Sequence, residues 1–137
     1  MWEKKFRRGF FCYLYLNLFW SIAGVEKEFN SAEIESLSQD FEKLDFQELQ
    51  SKLAEFKNDY VESSTLLKNY IDLDKTHLII KTILFVFLLE KKSLQEPSKL
   101  ISDYLRITQD FAGSAAVSLV HAVLHKLVFN QEKPETA

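Results

Sequence analysis

Turn-forming residues are scarce: the 137-residue chain holds 3 Gly and 2 Pro. Sandwiches and barrels of many short strands need frequent turns, so this scarcity favours a few long helices. The single cysteine, Cys12, excludes an internal disulfide framework and a cysteine-based zinc cluster. It also suits a reducing, cytoplasmic setting. No glycine-rich phosphate loop, nucleophile elbow or Ser/His/Asp set can be assembled from the spacing. His77 stands alone, without an identifiable nucleophile or orienting group. His121 and His125 are four residues apart but have no glutamate between them and no third ligand nearby. The expectation is a protein that is not an enzyme and uses no metal or cofactor.

What is abundant is apolar and aromatic: 47% of residues are hydrophobic, including 12 Phe, 5 Tyr and 2 Trp. A chain of this length forms one domain and buries a real core. Charge is distributed unevenly. Residues 1–8 carry four basic side chains and one acidic, whereas residues 9–62 carry 4 basic and 11 acidic. Residues 63–137 are nearly balanced, with 9 basic and 8 acidic. A basic end formed by Lys4, Lys5, Arg7 and Arg8 on an acidic body suggests a nucleic-acid contact. Positions 4, 7 and 8 are related by i, i+3 and i+4, so an ideal helix places them on one face. Phe6, Phe10, Tyr13 and Tyr15 lie close by, and exposed aromatics can stack on unpaired bases. Solubilising charge beside an apolar helix is the plainer reading of the same residues.

The same stretch also has the layout of a secretory signal. Basic residues precede the apolar run Gly9–Trp20, which Asn17 interrupts, and Ser21-Ile22-Ala23 resembles a cleavage site. Against this, the segment reads equally well as a buried first helix over 3–22.

A loop around Gly24 and a short acidic helix over about 31–41 are expected next, capped by Asn30 or Ser31. Asp45 and Glu48 then have capping-box-like spacing. Phe46, Leu49, Leu53, Phe56, Tyr60, Ser63, Leu67 and Tyr70 follow at alternating intervals of 3 and 4, predicting one long bundle helix with a polar break at Ser63. A core helix is expected over 75–92, around the run Leu78–Leu89. Another should run over 97–110 behind Pro97, with Leu100, Ile101, Tyr104, Leu105 and Thr108 on one side. After Gly113, Ser114 should cap a last helix over 115–129 with the apolar face Ala116, Val120, Val123, Leu124 and Leu127. The expected fold is an all-α, single-domain helical bundle over 1–130, with a polar tail over 131–137.

Three segments resemble the NusB family of bacterial transcription antitermination factors. Lys4-Lys5-Phe6-Arg7-Arg8 leading to Leu14-Tyr15 looks like that family's arginine-rich opening helix with its Leu-Tyr pair. Ile79-Ile80-Lys81-Thr82-Ile83-Leu84-Phe85 looks like its apolar core helix, with Lys81 where arginine is usual. Ile101-Ser102-Asp103-Tyr104-Leu105 through Phe111, then Leu119-Val120-His121-Ala122-Val123-Leu124-His125-Lys126, tracks its Ile-Asn-Glu-Ala-Val and Phe-Val-Asn-Gly-Val-Leu-Asp-Lys signatures without a gap.

The resemblance implies a NusB-like bundle that binds single-stranded boxA RNA together with the NusE ribosomal protein. The pair would join the RNA polymerase antitermination complex on ribosomal RNA transcripts. It also implies RNA contacts from Lys4, Lys5, Arg7 and Arg8, a place for Tyr15 at the RNA or NusE surface, and RNA-facing positions at Ser118 and Leu119. Thr76 and Val86 fall where the family faces its protein partner with acidic residues. Ser118 replaces a lysine, Leu119 a phenylalanine, and His121-Ala122 an Asn-Gly pair. Leu119 has no ring, so stacking worth roughly 1–3 kcal/mol is absent there. The alternative is a helical interaction module that oligomerises, as a homodimer for example, through an exposed part of the first helix.

Overall fold

A computed structural model describes residues 1–25, Glu33 and 44–129. Among these, the chain is all helical and forms a single-domain bundle. Helix α1 spans Lys4–Ile22, α2 Phe46–Leu67, α3 Leu78–Lys91, α4 Ile101–Ala112 and α5 Ser114–Phe129, with a 3-10 turn at Pro97–Leu100 before α4. The expected helix over 31–41, Glu33 apart, and the polar tail fall outside the described residues.

The apolar helix α3 forms the centre of the bundle. Every residue from Thr82 to Glu90 is buried, as expected of a helix that is hydrophobic all round. Helices α1, α2 and α4 pack against it, and α4 and α5 form a helical hairpin. Phe10, Leu14, Leu49, Leu67, Ile83, Leu84, Val86, Phe87, Leu100, Tyr104, Val120, Leu124 and Leu127 form the heart of the core. Buried hydroxyls bond back along their own helices: Thr82 donates to the Leu78 carbonyl at 2.8 Å and Thr108 to the Tyr104 carbonyl at 2.8 Å.

The helix ends follow local chemistry. Asp45 caps α2, accepting from the backbone N–H groups of Gln47 at 2.9 Å and Glu48 at 3.4 Å. The predicted seam is corrected in three places, one of them Tyr60, which is exposed with its ring stacked on Phe85. Helix α2 ends at Leu67, before Tyr70, because the chain turns there: Tyr70 and Ile71 both donate to the Leu67 carbonyl. The buried polar residue is Ser64, while Ser63 is only half-buried. Ser64 joins the buried stripe one turn before Leu67, which keeps its predicted buried place.

Helix α3 starts three residues later than expected. Asp72 organises a turn ahead of it, taking hydrogen bonds from the Asp74 N–H at 3.0 Å and, on its carbonyl, from the Thr76 hydroxyl at 2.7 Å. Pro97 opens the 3-10 turn rather than an α-helix, and α-geometry begins at Ile101. Gly113, at φ 89° and ψ 168°, separates α4 from α5. No helix among the described residues is long and apolar enough to cross a membrane. Helix α1 is an integral layer, and cleavage after Ala23 would remove Phe10, Phe11, Tyr13 and Leu14 from the core.

Candidate nucleic-acid interface

The basic end of the chain forms the first turn and a half of α1. Lys4 and Lys5 are exposed there. The apolar stripe of the same helix runs through Phe6, Phe10, Phe11 and Leu14. Arg7 stands at i−3, i−4 and i−7 from Phe10, Phe11 and Leu14, so the helix turns it inward with them.

Arg7 is therefore a correction to the expected set of phosphate contacts. It is 2% exposed, and its donors are engaged inside the protein. Nε bonds Glu90 Oε1 at 2.7 Å, and Nη2 bonds Glu90 Oε2 at 2.8 Å and the Trp2 carbonyl at 3.1 Å. Nη1 lies 3.6 Å from Asp103 Oδ2. Glu90 also accepts from the Tyr104 hydroxyl at 2.7 Å and from the Trp2 backbone N–H at 2.9 Å. The Arg7 guanidinium carbon lies 5.5 Å from the centre of the Tyr104 ring.

A buried guanidinium is tolerated when it is paired and hydrogen-bonded in this way. Burial pulls the Arg7 pKa down, but the hydrogen bond and charge of Glu90, helped by Tyr104 and Asp103, more than offset it and leave the pKa raised. Burial, then the Glu90 charge, pushes the Tyr104 hydroxyl well above its ordinary value. Glu90 does not figure in the site expected from sequence, although a signal existed. It occupies the next turn of the stripe Ile83, Val86, Phe87, where an apolar residue belongs, and the only cation on the facing stripe of α1 is Arg7.

Arg8 points to a different neighbour. Its Nη2 pairs with Asp110 near the end of α4. Its guanidinium carbon lies 5.8 Å from the Phe111 ring centre, and Phe11 meets the same ring at 5.0 Å. The amino-terminal half of α1 thus abuts the last turn of α4. Ser114, at the start of α5, lies at this corner too, its hydroxyl accepting from Gln109 Nε2 at 2.9 Å. Ser118 and Leu119 are exposed one turn further along α5.

The positions expected to face a protein partner fare unequally. Val86 is 0% exposed in the centre of α3 and is a core residue, a second correction: its helix is covered on that side by other helices of the bundle. Thr76 is half-buried and bonded to the Asp72 carbonyl. Tyr15 is half-buried, its ring stacked on Phe19 at 6.3 Å. His77 precedes α3 and is exposed. The His121 and His125 rings are 6.5 Å apart, edge to face. No group of three potential ligands that could hold a metal occurs among the described residues.

Physically, the corner offers exposed ammonium groups at Lys4 and Lys5 and a guanidinium at Arg8 laid beside a partly exposed aromatic. Such a surface can attract a polyanion and offer it a flat apolar face. No family model, curated protein or solved structure matches the chain.

Proposed function

We propose that the protein binds single-stranded, boxA-like RNA through the amino-terminal turn of α1 and acts as a NusB-like antitermination factor. The observation that carries this reading is the cationic turn at Lys4, Lys5 and Arg8, set at the corner where α1 meets the end of α4. The resemblance of three sequence segments supplies the RNA class and the partner, the NusE ribosomal protein within an RNA polymerase complex. Lys4 and Lys5 attract the backbone, and Arg8 supplies a directed donor. The resemblance adds Ser118 and Leu119, both exposed on α5, as RNA-facing positions. With few phosphates neutralised, affinity for RNA alone is modest, and the protein partner strengthens it. Arg7 shapes the site only indirectly, by fixing α1 on α3.

Fluorescence anisotropy of labelled boxA and scrambled RNAs, each with and without NusE, tests the reading. Tighter binding of boxA, enhanced by NusE, is the expected result. Replacing Lys4 and Lys5 by Ala should weaken binding and lower the salt slope by about 0.7 for each phosphate no longer neutralised. Equal binding of boxA and scrambled RNA in both conditions would refute the assignment.

A second reading, self-association through α1, draws on Phe19 and Ile22, both exposed near the end of that helix. Sedimentation velocity with and without RNA separates the two: a dimer that forms without RNA and binds none favours the second.

A further inference from the structure

The RNA reading leaves the site short of an aromatic platform: Leu119 has no ring, and Tyr15 is half-buried with its ring stacked on Phe19. The described surface offers one at the corner of α1 and α4. Phe111 is 37% exposed, and Phe11, itself buried, supports it from behind with ring centres 5.0 Å apart at 52°. Arg8 lies over the same ring and pairs with Asp110, the residue preceding it.

We propose that Phe111, Arg8 and Asp110 form a subsite for one unpaired nucleotide of the bound RNA, an inference that rests on the RNA reading. The Phe111 ring and the Arg8 guanidinium plane give a base a flat surface to stack on. Arg8 then takes the adjoining phosphate, and Asp110 is the carboxylate that the phosphate displaces. Three physical points support this order. The Asp110 side chain is 45% exposed, and an ion pair with a partner that accessible to water shifts an equilibrium only a few-fold. A phosphate offers Arg8 two oxygens in the same fork geometry and brings the attraction of its neighbours along the chain. Only an unpaired base has a face free to stack on a protein ring, so the subsite selects single strands over duplex. Until RNA arrives, Asp110 keeps Arg8 oriented across Phe111 and discourages weak anions.

The test uses the full chain, labelled single-stranded boxA RNA and anisotropy across a range of salt. Phe111→Leu keeps apolar bulk against Phe11 but removes the ring, and should weaken binding by roughly 5- to 150-fold, the range for removal of one stacked ring. Phe111→Trp should retain binding. Asp110→Asn frees Arg8, leaves the core untouched, and should tighten binding about two- to fivefold while steepening the salt slope by about 0.7. Wild-type binding that Phe111→Leu leaves unchanged, or that Asp110→Asn leaves equal or weaker, overturns the subsite while the RNA reading stands. Binding of duplex RNA as tightly as single-stranded RNA also overturns the subsite. A wild-type protein that binds no RNA, with or without NusE, defeats the RNA reading and the subsite together.

Discussion

At the scale of single residues, the decisive group is Glu90. It receives donors from Arg7, Tyr104 and Trp2 in a place closed to water. Removing one member of a buried ion pair leaves the other charged and unpaired, at a cost of about 3–5 kcal/mol. Arg7→Ala should therefore lower the urea-derived unfolding free energy by that amount. Joint replacement of Arg7 by Met and Glu90 by Leu should recover much of the loss, because no orphan charge remains. Equal destabilisation by the single and double changes would refute the network's energetic role. Tyr104 gives the site a pH signature. Its raised pKa means that the folded protein keeps the phenolic proton when the unfolded chain has begun to lose it. That contribution is intact below about pH 10 and declines as pH rises further. Tyr104→Phe should flatten the alkaline limb of a stability–pH curve measured by chemical denaturation, and an unchanged limb would assign the effect elsewhere.

At the scale of elements, two boundaries carry measurable free energy. Asp45 satisfies the first orphan N–H groups of α2, and Asp45→Ala should cost about 0.5–2 kcal/mol in thermal or urea unfolding. Asp45→Asn should retain most of that contribution. Gly113 occupies a backbone region that is nearly restricted to glycine. A Cβ there meets nothing within 4 Å, so the penalty of Gly113→Ala is conformational rather than steric packing, about 1–3 kcal/mol. A neutral Gly113→Ala would imply that the α4–α5 corner relaxes freely. Helix identity was readable in the sequence from the capped repeat that Asp45 opens and, with no side-chain cap to help, from the density of the apolar run Leu78–Leu89. Helix ends were less readable. The Asp72 turn competes with the start of α3, and the bonds around Leu67 close α2 ahead of Tyr70; both depend on backbone hydrogen bonds that no repeat reveals.

At the scale of the whole molecule, the bundle was legible from composition, since scarce Gly and Pro and a dense apolar run leave few other architectures. The candidate interface was legible only in part. Sequence proximity grouped Arg7 with Lys4, Lys5 and Arg8, whereas the fold separates them by function: Arg7 enters the core, Arg8 reaches the end of α4, and the two lysines face solvent. Val86 illustrates the same problem from the other side, since a position matched by likeness to a partner-facing acid is covered by this chain's own helices. Asp110 and Phe111 lie more than a hundred positions from Arg8, a pairing that only the folded α1–α4 contact creates. The grip on Trp2 has a practical corollary. Its backbone both gives to Glu90 and receives from Arg7, while its ring sits against Phe6 and Phe10. An aminopeptidase that trimmed Met1 and Trp2 would thus unseat a sealed charge rather than shorten a loose end, and in a Trp20→Phe background the indole emission of Trp2 becomes a built-in gauge of whether that seal is shut.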